Sequence, residues 1–103
     1  MRTHETAAVK MLQKMGKEVS RTMRFCTTVG VAEKMEQSKE FKQFVHHSLS
    51  RHLSGDWGGI NEEDAGINNT DPEYALSAYM LDGVKIWIKR DNDIITVLFP
   101  DEY

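Results

Sequence analysis

Between residues 3 and 21, Ala8, Met11, Leu12, Met15 and Val19 recur at the spacing of one face of an amphipathic helix. Lys10, Lys14, Lys17 and Arg21 fall on the opposite side and form a basic ridge. Only Gly16 weakens this helix, by about 1 kcal/mol relative to alanine. Met23-Arg24-Phe25-Cys26 then suits a short strand or an extended link. Thr27 or Thr28 is placed to cap a short helix over 29–36. Ser38 is placed to cap a longer one in which Phe41, Phe44, Val45, Leu49 and His52 share a face, and Gly55 supplies its left-handed stop.

The pattern changes over 56–73, where Gly58-Gly59, Gly66, Asn68-Asn69 and Asp71-Pro72 mark turns and six acids occur without a Lys or Arg. Asn61, ahead of Glu62-Glu63-Asp64, can cap one helical turn within this acidic loop region. Further on, Asp82-Gly83 has the signature of a two-residue hairpin turn. It sets Leu81 against Val84, Tyr79 against Ile86 and Ala78 against Trp87. A second turn around Asp91-Asn92 sets Ile88 against Ile95, Ile86 against Val97 and Val84 against Phe99. One face of the resulting meander collects Tyr79, Leu81, Val84, Ile86, Ile88, Ile95, Val97 and Phe99 for helices to cover. The other face collects Leu76, Ala78, Met80, Lys85, Trp87, Lys89, Ile94, Thr96 and Leu98, too apolar for plain solvent. The first helix is its expected cover; a second copy of the chain, as a homodimer, and a foreign partner are the alternatives.

Together these elements predict an α+β chain, with N-terminal helices packed on one face of a C-terminal three-stranded antiparallel meander. Its 103 residues suffice for a single domain, divided into a basic helix over 1–22, a helical part over 23–55, the acidic loop region over 56–73 and the meander over 74–103. An apolar share of 40% with 28% charged residues agrees with a globular chain. No apolar run approaches the roughly 18 to 20 residues of a membrane span, and the first residues lack the apolar stretch of a secretory signal, so a cytoplasmic location is expected. The lone Cys26 allows neither an internal disulfide nor a zinc-finger spacing.

Charge is unevenly distributed. Residues 1–52 hold ten Lys and Arg against five Asp and Glu, whereas 53–103 hold three against eleven, so the halves carry +5 and −8. Either they attract each other within the fold or each faces a partner.

The search for chemistry begins at His46, His47, His52, Cys26 and Asp56. On a helix His46 and His47 diverge by about 100°, and His52 lies far around from both, so no metal site and no cofactor is expected. His52 reads first as a core or capping histidine. The sharper alternative is a small hydrolase in which Asp56 orients His52 as general base and Cys26 supplies a thiol nucleophile. Trp57, in the glycine-flanked stretch 55–59, is either a plug beneath the loop or an exposed anchor, and Trp87 poses the same choice. The ridge of Lys10, Lys14, Lys17 and Arg21 could contact phosphates and make a DNA-contacting accessory protein. A pI near 5.8 argues against a dedicated nucleic-acid binder, and the chain has no glycine-rich phosphate loop or helix-turn-helix pattern. The acids Asp56, Glu62, Glu63, Asp64, Asp71 and Glu73 either solubilise the loop or imitate a nucleic-acid backbone for a basic cleft on another protein.

Several segments carry a resemblance: Arg24-Phe25, Arg51-His52-Leu53-Ser54-Gly55-Asp56-Trp57-Gly58, Glu62-Glu63-Asp64, Leu76-Ser77-Ala78-Tyr79, Ile86-Trp87-Ile88 and the ending Thr96-Val97-Leu98-Phe99-Pro100-Asp101-Glu102-Tyr103. In combination, over about four fifths of the chain, they resemble a group of small uncharacterised bacterial proteins borne on plasmids, phages and other mobile elements. The basic first helix lies outside the resemblance and borrows no role from it. The resemblance implies a setting in which small proteins serve plasmid upkeep or counter host defence by binding. The expectation is therefore a non-enzymatic interaction protein that docks on a protein or nucleoprotein partner through Asp56, Trp57, Glu62, Glu63, Asp64 and Trp87.

Overall fold

The computed structural model describes residues 3–5 and 23–103. Strands β1 (Thr3–Glu5), β2 (Arg24–Thr28), β3 (Leu76–Leu81), β4 (Val84–Asp91) and β5 (Ile94–Leu98) form one mixed sheet in the order β1-β2-β5-β4-β3. Helices α1 (Val29–Gln37), α2 (Lys39–Leu53) and α3 (Glu62–Thr70) complete the α+β fold.

The sheet is larger than the expected three-stranded meander. β3, β4 and β5 are antiparallel neighbours, but β5 also pairs in parallel with β2, with Phe25 opposite Ile95 and Thr27 opposite Val97. Thr27 and Thr28 belong to that strand, where β-branched residues suit the pleat. β1 corrects the expected helix start at residue 3: Thr3, His4 and Glu5 pair antiparallel with Thr28, Thr27 and Cys26. The rest of the expected basic helix, including Lys10, Lys14, Lys17 and Arg21, lies outside the described residues.

The first hairpin has the expected register, and Asp82 and Gly83 both take positive φ, 49° and 81°. The second is displaced by two residues: the turn is Asn92-Asp93, with Asn92 at φ 56°, so Ile88 faces Val97 and Arg90 faces Ile95. Asn92 takes the left-handed conformation at the first turn position, which Asn tolerates, and Asp91 stays in the ladder opposite Ile94, so the turn lies one position along the chain. A slip of two residues leaves every side chain on its original face, so the predicted core face survives. Tyr79, Ile86, Ile88, Ile95 and Val97 are buried on it with Phe25, against Val31 and Met35 of α1 and Phe41, Val45 and Leu49 of α2.

Caps set the path of the helices. Thr28 Oγ1 accepts from Val31 N–H at the start of α1. Ser38 ends that helix by donating its N–H to the Lys34 carbonyl and begins α2 by accepting from Phe41 N–H, so a single extended residue joins the two. Asn61 caps α3 by accepting from Asp64 N–H, as expected, but the helix runs for nine residues and not one turn.

The chain's last residues close over the start of α1. A 3₁₀ turn, Pro100–Glu102, brings Glu102 Oε1 within 2.7 Å of Thr28 Oγ1, which donates to it, and within 2.9 Å of Phe99 N–H. The carboxylate lies over Gly30, where an added Cβ would stand 2.7 Å from Glu102 Oε2. Negative charge is favourable beside a helix N-terminus.

On the second face of the sheet, Cys26, Ala78, Thr96 and Leu98 are buried and Trp87 is half-buried, with the Tyr103 ring edge-on to the indole at 5.8 Å. Part of the cover of Trp87 is thus the C-terminal turn; the expected cover by the first helix lies outside the described residues.

Because Thr28 holds both the α1 amide and Glu102, their contributions are coupled. Glu102→Gln and Thr28→Ala are each expected to cost about 1 to 2 kcal/mol in urea denaturation. The double variant should lose clearly less than the sum of the two.

Candidate functional site

The segment that looks most like a functional motif, 51–58, begins on the last turn of α2. Ser54 N–H and Gly55 N–H return to the Arg51 and His52 carbonyls, and Gly55, at φ 87°, turns the chain back. Asp56 N–H donates to the Arg51 carbonyl, and this places the two side chains together. Arg51 Nε and Nη2 then donate to Asp56 Oδ2 and Oδ1 at 2.6 and 3.1 Å, a two-pronged ion pair. Asp56 Oδ1 also accepts from Gly58 N–H. These two donors, Arg51 first, hold the Asp56 carboxyl below its usual range.

The turn is fastened to edge strand β3. The Tyr79 hydroxyl donates to the Asp56 carbonyl at 2.7 Å, and the Arg51 guanidinium lies over the Tyr79 ring, 4.9 Å from its centroid. Burial pushes the Tyr79 hydroxyl up to about 12. Ala78 N–H donates to the Trp57 carbonyl and Gly59 N–H to the Ala78 carbonyl, so 57–59 lies alongside β3 as a short parallel bridge. Gly58 permits this approach. At φ 72° it sits in the left-handed region, and an added Cβ would overlap the Ala78 carbonyl oxygen and stand 2.8 Å from the Tyr79 ring.

His52 and Trp57 fill the space beneath. His52 is buried, with Nδ1 and the Ser77 hydroxyl 2.6 Å apart and the Trp57 ring edge-on at 5.2 Å. Burial first, then Arg90 and Lys89, lowers the imidazole from 6.5 to about 4. The indole N–H of Trp57 donates to Asn69 Oδ1 of α3. Asn68, next to it, donates through Nδ2 to the Leu76 carbonyl and accepts from Leu76 N–H, so one amide side chain serves as a strand partner for β3. Sequence reading placed Tyr79 on the core face and Asn68 at a turn, but gave neither of them, nor Arg51 or Ser77, a role in the site. The alternation of Ser77 and Tyr79 with Ala78 on a strand was the available signal that these two face α2 together.

The sequence-predicted residues therefore separate into groups. Asp56 and Trp57 lie in one turn, and each is engaged within the chain: Asp56 with Arg51 and Gly58, Trp57 with His52 and Asn69. The expected hydrolase trio does not assemble. His52 is on the helix side of the sheet against Ser77, its imidazole is not bonded to Asp56, and Cys26 is on the opposite face in β2, separated from β3 by β5 and β4. His46 is buried and His47 exposed, and among the described residues no group of three His, Cys, Asp or Glu side chains could hold a metal ion. Glu62, Glu63 and Asp64 are exposed on the first turn of α3. Among the described residues no helix is long and apolar enough to cross a membrane.

Among the described residues, the outer surface of α3 and the end of the β3 edge are open. α3 buries only Asn68 and exposes 60% of Ile67. Beside the turn, Arg51, Gly58, Gly59, Tyr79, Met80 and Lys85 line an open groove of about 200 Å³. No protein-family model, curated protein or solved structure matches the chain.

His52 is neutral in the fold and titrates near 4, whereas an exposed histidine titrates near 6.5. Its contribution is complete above pH 6.5 and is lost as pH falls toward 4, because only the unfolded chain takes up the proton. The loss is on the order of 3 kcal/mol. His46, lowered by burial and by Lys42, adds to the same trend. Urea midpoints measured from pH 7.5 to 4.5 should fall, and the fall should be clearly shallower in His52→Gln.

Gly58→Ala combines positive φ with overlap against β3 and is expected to cost about 3 kcal/mol or more. Gly83→Ala, at φ 81° with open space around it, should cost only about 1 to 2 kcal/mol. Equal losses in calorimetry would contradict the proposed role of the close approach.

Proposed function

We propose that this protein acts by binding another protein or nucleoprotein, not by catalysis, and that the exposed side of α3 is its principal contact. The observation that supports this most directly is the commitment of the reactive side chains: His52 to Ser77, Asp56 to Arg51 and Gly58, with Cys26 remote on the other face of the sheet. A hydrolase needs a base and nucleophile facing one substrate space.

α3, by contrast, gives little to the core and much to solvent. Glu62, Glu63 and Asp64 project from its first turn beside exposed Ile67, and no Lys or Arg occurs between Arg51 and Lys85. Two amide contacts, through Asn68 and Asn69, fix the helix against β3 and Trp57, which presents these acids on a positioned support. Such a surface complements a basic patch on a partner and speeds its encounter. The resemblance to small proteins of plasmids and phages adds a setting, in which inhibition of host defence is one concrete form of such binding; cytoplasmic action belongs to the same reading. The half-buried Trp87 is a second contact in this proposal, and Asp56 and Trp57 act by holding α3 in place.

The reading predicts that the triple change Glu62→Lys, Glu63→Lys, Asp64→Lys leaves the folded near-ultraviolet spectrum intact. The same change should reduce capture of the host partner, identified by mass spectrometry, at least tenfold. Hydrolytic turnover abolished by His52→Ala in a variant that remains folded would overturn it.

A further inference from the structure

In β3, Tyr79 and Leu81 pair toward β4, and alternation turns the backbone groups of Leu76, Ala78 and Met80 to the outer edge. The first two are satisfied there, Leu76 by the Asn68 amide and Ala78 by the Trp57 carbonyl and Gly59 N–H. Met80 has no such partner among the described residues, and its side chain is 60% exposed. The edge is thus closed along most of its length and left open at one residue, beside the groove of about 200 Å³. Protein edges are usually protected along their whole length, so a gap next to a groove is an acceptor for an added strand.

The shape of the gap restricts its occupant. A strand passing through would collide with 58–59, which already occupy the same edge at Ala78. The incoming chain must therefore end there. In an antiparallel addition the end that abuts Gly59 is a C-terminus, since it runs opposite to β3. Charge selects the same end. Arg51 and Lys85 both line the groove; Arg51 and the Asp56 carboxylate neutralise each other, while Lys85 is exposed, has no ion pair among the described residues and supplies the uncompensated positive charge. Gly58 and Gly59 contribute no side chains that would fill the space.

We infer that the open end of β3 binds the C-terminal segment of a partner protein, added as a short antiparallel strand on Met80 with its terminal carboxylate beside Gly59, between Arg51 and Lys85. This rests on the binding reading above but uses a different surface from the acids of α3. Backbone bonds to Met80 give the contact its direction, and the uncompensated Lys85 charge distinguishes a free terminus from a continuing chain.

The test uses random hexapeptides attached through their N-termini, offered once with free C-terminal carboxylates and once amidated, to the ¹⁵N-labelled full chain. Free-carboxylate peptides are expected to bind and to shift the Met80 and Gly59 amides. Amidation, or N-methylation of the peptide residue opposite Met80, should weaken binding at least tenfold. Met80→Pro, which removes one edge donor where proline is tolerated, and Lys85→Glu should do the same. The α3 triple lysine variant should bind these peptides as the parent does. Failure of every free-carboxylate peptide to bind, equal binding after amidation, or shifts confined to 62–70 would overturn the inference. None of these outcomes would by itself remove partner binding by α3.

Discussion

The fold depends on how closely the chain after α2 can approach β3. At Gly58 the backbone lies against the Ala78 carbonyl and the Tyr79 ring at a distance that no side chain allows. From that contact follow the Tyr79 bond to the Asp56 carbonyl, the seat of Arg51 over the same ring and the burial of His52 against Ser77. The Trp57 indole, carried inward by the same turn, reaches α3. An ion pair as exposed as Arg51–Asp56 contributes little alone, since solvent screens it. Its effect here is geometric, because both ends are anchored by backbone bonds and it fixes the turn that places Gly58.

A second closure acts at the far end of the chain. Glu102 meets Thr28 where strand β2 becomes helix α1, so the last turn of the protein is tied to the parallel strand that distinguishes this sheet from a simple meander. Parallel pairing of β2 with β5 brings together segments about seventy residues apart, at an appreciable cost in loop-closure entropy. A bond from residue 102 to residue 28 stabilises the same long-range arrangement. The two closures hold opposite ends of the described sheet, one at β3 and one near β2.

Local signals in the sequence carried much of this architecture. The helices over 29–37 and 39–53, their caps at Thr28 and Ser38, the stop at Gly55 and the Asp82-Gly83 hairpin all follow from short-range chemistry. The second register was displaced because Asp91-Asn92 and Asn92-Asp93 are both plausible turns with Asn92 in the left-handed position, and only the pairing of Asp91 with Ile94 separates them. The parallel strand was hidden for a different reason: Arg24 to Thr28 is a short segment whose partner is distant, and no local pattern records that pairing. α3 was underestimated because its sequence, with Gly66 and two asparagines, has little helical preference; Asn68 and Asn69 are held by β3 and Trp57, a tertiary cause.

The candidate site shows the same division more sharply. His52, Asp56 and Trp57 attracted attention because residues of these types often do chemistry, and their spacing put them in one turn. The structure does bring them together, yet their neighbours decide what they do. A histidine depressed to about 4 and bonded to a serine inside the core is a neutral packing group at ordinary pH. An aspartate held by an arginine and a backbone amide has lost the freedom to orient it. The segments 51–58, 76–79 and 86–88 are partners of one another across this turn, its receiving strand and the core. Residues that look like a motif for chemistry can therefore owe their types to one close contact. Among the described residues that contact leaves the exposed side of α3 and the end of β3 open, and the proposed binding rests on those two surfaces.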